Sequence, residues 1–342
     1  MNVSAKIYFC KNLKRGGIVL LWSFKLKFIA LSAIILVVYC CYSVLSVKLS
    51  YHSPQQFADR DSKFIDVLGI RIHYKDFGKG ENTFLLIHGF GAGTFTFENV
   101  IREFTKFGRV VVLDLPGFGL SERPSNSENN LFDPYSRVGQ VEIVRAFVAK
   151  LSLHDIILVG HSMGGGISAL LAERYPELVK ALVLVDPAID SYSAPKIISN
   201  IMKSHVGKII FLLIIKPITL SFESAISKAY FDKSKITRKM RKSYLQTLTV
   251  TDWDKGLYYL FIADNSVDIK SGLSNISIPT LVIAGANDEI VDPASIREVA
   301  VKIPSSQYVE IEECGHLPHE EKPGEFLQSV LNFLRSANIG IV

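Results

Sequence analysis

Residues 156–166 read IILVGHSMGGG: four apolar residues, then Gly160-His161-Ser162-Met163-Gly164, then more glycine. A short apolar run ending in a serine flanked at two residues' distance by glycines is the pattern of a buried strand turning sharply into a helix. The residues after it agree: Ile167, Leu170 and Leu171 are spaced as on one helical face, and Pro176 stops the pattern. Glycine at 160 and 164 suits a strained turn that leaves no room for a Cβ, and the new helix would aim its amide dipoles at the serine. One pentapeptide of common residues arises by chance, so the rest of the chain has to decide whether Ser162 is a nucleophile.

Outward from this stretch the same rhythm repeats. Apolar runs at Thr83–Ile87, Val110–Leu113, Ala181–Val185, Thr280–Ile283 and Tyr308–Ile311 alternate with helical spacing. Continuous apolar strands separated by helices imply a mostly parallel sheet covered on both faces, hence an α/β fold. Before them, Phe64–Val67 and Ile70–Tyr74 flank Leu68-Gly69 and predict a hairpin.

A nucleophilic serine needs a base, a carboxylate to orient the base, and backbone donors for the oxyanion. Asp288 follows the strand from Thr280 and His316 follows the strand from Tyr308, at the sheet edge where catalytic groups of open α/β sheets gather. Glu289 and Asp292 lie close to Asp288, and Asp186, after the strand ending at Val185, is an alternative acid. His73, His154, His205 and His319 do not occupy the loop directly after the last strand and are expected to pack or face solvent. His88 is expected to brace its own loop and Asp114 to bond its own turn.

The chain resembles the α/β-hydrolase superfamily over residues 62–336. His88-Gly89-Phe90-Gly91 is similar to that family's oxyanion loop, Asp114–Ser121 to the loop after its next strand, and Gly160–Gly164 to its nucleophile elbow. The resemblance implies an α/β-hydrolase fold with Ser162 as nucleophile, His316 as base, Asp288 as orienting acid, and the backbone N–H groups of Phe90 and Met163 as oxyanion hole. Serine at the elbow separates the chain from the haloalkane dehalogenase and epoxide hydrolase branches, which place aspartate there. The whole is similar to membrane-anchored monoacylglycerol lipases, which implies lipophilic ester substrates. A serine-dependent C–C bond hydrolase and a non-catalytic binding protein on the same fold are the alternatives. No cofactor is implied, and the absence of HExxH, paired CxxC or a Lys-Ser/Thr phosphate-loop ending gives no motif for a metal or nucleotide.

Charge and cysteine usage bound the surroundings. Residues 1–27 hold six of the basic residues and no acid, so removing those six from the formal +5 leaves the remainder at −1. That gives no electrostatic reason for a nucleic-acid partner. Phe28–Val47 are twenty uncharged residues, long enough as a helix for a hydrocarbon core, and the basic flank puts the N-terminus in the cytoplasm with the body beyond the membrane. A cleaved signal peptide is the competing reading, although the run exceeds the usual h-region and no small-x-small site follows. Cys10, Cys40 and Cys41 belong to this region, where Cys40 and Cys41 are candidates for acylation or plain lipid-facing positions. Cys314 stands alone in the body, which excludes an intrachain disulfide there.

The expected organisation is a basic cytoplasmic segment at 1–27, an anchor at 28–47, a tether at 48–60, hydrolase core at 61–186 and 271–342, and a helical cap at 187–270. More than ninety residues without a strand signal after Val185 are too many for a loop, which is the reason for the cap. Within it, Ile209–Ile215 is expected to line an apolar pocket, to dip into a membrane surface, or to be an ordinary buried helix. Lys233, Lys235, Arg238, Lys239, Arg241 and Lys242 form a solvated face or a contact for anionic headgroups.

Overall fold

A computed structural model of the chain describes residues 51–125, 132–190, 196–215 and 222–340, together with Ser32 and Tyr39. The basic segment and the candidate anchor at 28–47 lie outside the described residues apart from those two. Among the described residues no helix is long and apolar enough to cross a membrane.

The strands are β1 (Lys63–Val67), β2 (Ile70–Phe77), β3 (Thr83–Ile87), β4 (Arg109–Leu113), β5 (Ile156–His161), β6 (Val179–Val185), β7 (Thr280–Gly285) and β8 (Ser306–Ile311). They form one sheet in the order β1-β2-β4-β3-β5-β6-β7-β8. β1 and β2 are a hairpin through Leu68 (φ 53°) and Gly69 (φ 79°), the doubly positive turn that matches strand twist. β2 meets β4 antiparallel, and from β4 to β8 every pairing is parallel.

Side-chain alternation divides the interior into two layers. Leu85, Leu113, Leu158, Leu182 and Val282 point to the face covered by α2 (Arg137–Lys150), α3 (Met163–Arg174) and α9 (Pro293–Lys302). Phe84, Val112, Val159, Val183 and Ile283 point to the face covered by α1 (Glu98–Phe104) and α10 (Pro323–Ser336), where Phe104, Phe326 and Leu334 are buried. Both faces being dry is what allows uninterrupted apolar strands.

Between β6 and β7 the described residues carry α4 (Lys196–Lys203), α5 (His205–Ile215), α6 (Phe222–Ala229), α7 (Arg238–Thr247) and α8 (Trp253–Ile262). This helical insertion is tied to the start of the body. His52 pairs with its Val250, the His52 amide donates to Thr249 O (2.9 Å), and Thr251 N donates back to His52 O (2.9 Å). The described part of the expected tether, residues 51–60, is therefore packed on the body, with Lys75 bonded to Asp59 (2.5 Å).

The chain switches direction at β3: β4 lies on one side of it and β5 on the other. The loops that leave the C-terminal ends of β3 and β5 diverge there and open a crevice, the general ligand position of open α/β sheets.

Candidate active site

Ser162 is the single residue between β5 and α3, with φ 52° and ψ −117°. Such a backbone costs a β-carbon residue on the order of 1–3 kcal/mol, and it persists because its surroundings fix it. The Ser162 amide donates to Val185 O (2.9 Å), and its carbonyl accepts from Gly166 N (3.1 Å) and Ala188 N (2.9 Å). The flanking glycines are required by close approach. A Cβ at 160 would lie 2.3 Å from Ser168 Oγ, and one at 164 would lie 2.5 Å from both Ile87 O and His88 O. The elbow is thus wedged against the end of β3.

β7 and β8 bring Asp288 and His316 side by side. Asn287 N donates to Cys314 O (2.9 Å) and Ala286 N to Ile311 O (2.9 Å), so the two loops run as a pair beyond the sheet. His316 Nδ1 bonds Asp288 Oδ2 at 2.6 Å. The other Asp288 oxygen accepts from Ile290 N (2.7 Å) and Val291 N (3.1 Å), which fixes the carboxyl group in place.

Asp186 sits next to this pair in a different state. Its Oδ1 accepts from Gly285 N (2.9 Å), but as a carboxylate its buried Oδ2 has no donor. Burial and the neighbouring Asp288 push its pKa well above the ordinary value. These surroundings favour the neutral form of Asp186. The structure places His316 on Asp288, while Asp186 backs the acid from behind.

His161 links the elbow to the His316 loop. Its Nε2 bonds the His316 carbonyl at 2.8 Å; a carbonyl only accepts, so this nitrogen carries the proton. The rings of His161 and His316 lie 4.8 Å apart, and His319 lies 4.7 Å from His161 on its other side while stacking on Phe97. Burial, with His319 and His316 close by, drives the pKa of His161 far down, and burial beside His316 lowers that of His319 to about 3. Both are held toward the neutral form, which keeps cations away from His316. His161, Asp186 and His316 each bring a ligating atom within 4.8 Å of the others, but one ring nitrogen of each histidine is engaged by His316 O or Asp288.

The loop after β3 is braced as expected. His88 Nδ1 donates to Gly89 O (2.7 Å) and Nε2 accepts from Leu115 N (3.0 Å), which fixes a neutral tautomer. Asp114 accepts from Thr94 N (2.6 Å), Leu120 N (2.7 Å) and His73 Nδ1 (2.7 Å). The amides of Phe90 and Met163 make no hydrogen bond among the described residues, so both N–H groups are free to donate.

Ser162 opens onto a cavity of about 650 Å³ walled by Phe90, Met163, Ile167, Phe211, Ile214, Ile215, Leu257, Leu260 and Phe261. α5 and α8 thus supply most of the roof, and Ile214 and Ile215 of the 209–215 run face this space. Arg137 is the charged residue in the wall, and it donates to Ile189 O and Asp190 O at 2.8 Å each. A second cavity of about 720 Å³ lies away from Ser162, over His73, and is lined by Asp59, Lys75, Glu98 and Arg102.

His161, His319 and the neutral state of Asp186 are what sequence reasoning missed. The signal available was position: His161 precedes the nucleophile candidate, and His319 falls three residues after His316.

Residues 82–323 match the model of a family described by its α/β-hydrolase fold. Lipase 1 of Psychrobacter immobilis is 29% identical over 69% of this chain and 72% of its own length. The 2-hydroxy-6-oxononadienedioate/2-hydroxy-6-oxononatrienedioate hydrolase of Escherichia coli O81 (strain ED1a) is 30% identical over 84% of this chain and all of its own. Among solved structures, a membrane phospholipase A described as a bacterial virulence factor superposes with TM-score 0.67 at 26% identity, covering 94% of this chain and 99% of its own. A putative lipase from Acinetobacter baumannii AYE superposes with TM-score 0.66 at 26% identity, covering 84% and 97%.

Proposed function

The chain belongs to the α/β-hydrolase family, and from that premise we propose that it is a serine hydrolase of carboxylic esters with lipophilic acyl groups, monoacylglycerols among them. The observation that carries this reading is Ser162, fixed on a strained elbow beside the His316–Asp288 pair and opening onto an apolar cavity.

In the proposed reaction Ser162 Oγ attacks the ester carbonyl carbon while His316 Nε2 takes its proton. The ionised Asp288 holds the His316 Nδ1–H tautomer and stabilises the imidazolium. The carbonyl oxygen becomes an oxyanion that the Phe90 and Met163 amides accommodate, the latter at the positive end of α3. Collapse expels the alcohol, which receives the proton from His316. Water, deprotonated by His316, then attacks the acyl-enzyme and releases the acid and Ser162. The chain's own residues suffice for every step.

Identity with the dienedioate hydrolase favours a C–C hydrolase as the second reading. A dioate carries two carboxylates, whereas the one cation of this cavity wall is committed to backbone carbonyls, and beside it only Tyr135, Gln140, Asn265 and Ser162 bring polar groups to an otherwise apolar wall. The balance lies with esters. We also place residues 28–47 in a bilayer with the N-terminus cytoplasmic, a reading supported by the twenty uncharged residues and their basic flank. Retention of that segment in the mass of the membrane-extracted protein tests it.

The decisive experiment is hydrolysis of p-nitrophenyl esters and monoacylglycerols from about two to eighteen acyl carbons by the full chain in detergent, beside Ser162→Ala. We expect kcat/KM to rise with chain length and to fall by about 10³-fold or more in the variant. Activity confined to vinylogous diketones, or esterase activity that survives Ser162→Ala, overturns the reading.

A further inference from the structure

Six of the twelve exposed large apolar side chains among the described residues fall in the nineteen residues of α4 and α5. Ile198 and Ile201 of α4 and Val206, Ile209, Ile210 and Ile214 of α5 are 41–65% exposed. Isolated exposed apolar residues need no explanation, but a cluster of this kind marks a surface that is covered in use.

The charges around it say what covers it. Residues 191–222 contain Lys196, Lys203, Lys208 and Lys216 and no aspartate or glutamate. A stretch of apolar helices whose only charges in sequence are lysines matches an anionic apolar surface, as in an interfacial helix. α5 is moreover shared with the cavity: Phe211, Ile214 and Ile215 wall the space in front of Ser162 while Val206, Ile209 and Ile210 face outward. One helix therefore borders both the exposed face and the site.

We propose that the α4–α5 hairpin is a membrane-docking surface that seats its isoleucine face among the acyl chains of an anionic phospholipid bilayer. The consequence that an acyl chain passes from the bilayer past Ile214 to Ser162 rests on the ester-hydrolase reading; the docking itself does not.

Docking is read by placing a tryptophan at the outward position 206. In the full chain carrying Trp22→Phe, Ser162→Ala and Val206→Trp, the buried Trp253 is a constant background. With this protein reconstituted into phosphatidylglycerol–phosphatidylcholine vesicles, acyl-brominated phosphatidylcholine should lower the position-206 emission at least about two-fold, and acrylamide in the water should not. Quenching by acrylamide alone leaves the face in water and overturns the proposal. Protection from both quenchers means a second copy or another protein covers it, and overturns it equally. Delivery is read with Ile201→Ser/Val206→Ser/Ile209→Ser, none of which lines the cavity. Turnover of monoacylglycerol embedded in those vesicles should fall about ten-fold or more, with dissolved p-nitrophenyl butyrate unchanged within about two-fold; equal losses on both substrates overturn delivery. A wild-type chain that hydrolyses no ester defeats the ester reading, while position-206 quenching still decides docking.

Discussion

Asp186 and Asp288 are neighbouring carboxyl groups in unlike surroundings. Asp288 collects two backbone N–H donors and the His316 ring, whereas Asp186 collects one donor and is otherwise desolvated beside a like charge. An asparagine amide can replace a neutral acid as donor but cannot replace the carboxylate that stabilises an imidazolium. Asp288→Asn should therefore lower kcat by about 10³–10⁴-fold, and Asp186→Asn should leave it within about ten-fold. The reverse ranking would move the orienting role to Asp186. Sequence reasoning reached Asp288 because the loop after β7 is where the family resemblance places the acid. It left Asp186 open because protonation depends on burial by residues distant in the chain. The same is true of His161: its link to the His316 carbonyl, 155 positions away, has no local signature.

At the scale of elements, legibility follows from where each stretch finds its packing partners. The inner strands β3, β5 and β7 were readable because both of their faces are dry, which forces apolar residues along them, whereas β8 at the sheet edge is only part-buried. The boundaries moved outward by a residue or two at β5, β6 and β8, where hydrogen bonding continues past the apolar run. The helices of the insertion were legible only as a strand-free interval, because α4 and α5 expose apolar residues and so lack a clean two-sided pattern. The elbow shows how tight the readable part is: Gly164→Ala drives a methyl into two carbonyls of the β3 end. It should cost about 2–3 kcal/mol in urea unfolding, within the range for overpacking. A cost under about 0.5 kcal/mol would mean that the elbow can shift. The cavity wall is softer. Leu260→Trp on α8 fills space without touching the Ser162, His316 or Asp288 side chains. It should reduce kcat/KM for acyl chains beyond about ten carbons by ten-fold or more while sparing butyrate, which the chain-length series reads directly.

Over the whole body, the sheet and the insertion are joined next to the base by two consecutive glutamates that no motif signals. Glu321 accepts from Phe231 N (3.1 Å), Asp232 N (2.5 Å) and Gly315 N (2.8 Å), and His316 N donates to Ala229 O (2.8 Å). Glu320 accepts from Tyr230 (2.5 Å), just after α6, and from Tyr244 (2.6 Å), on α7, and it is buried. Burial raises its pKa to about 7 against an ordinary 4.5, the two tyrosine hydroxyls offsetting part of the desolvation. A carboxyl with a raised folded-state pKa binds its proton more tightly when folded. Its contribution is complete below about pH 4.5 and is lost as pH climbs through about 7. The 2.5-unit gap between 4.5 and 7 corresponds to a loss on the order of 3 kcal/mol. Thermal unfolding of the full chain in detergent should therefore show Tm falling between pH 5 and pH 8. Glu320→Gln, which keeps an acceptor for the tyrosines and removes the titration, should flatten that fall. If the slope survives in the variant, the junction does not ionise over this range, and the tyrosine pair must hold Glu320 charged throughout.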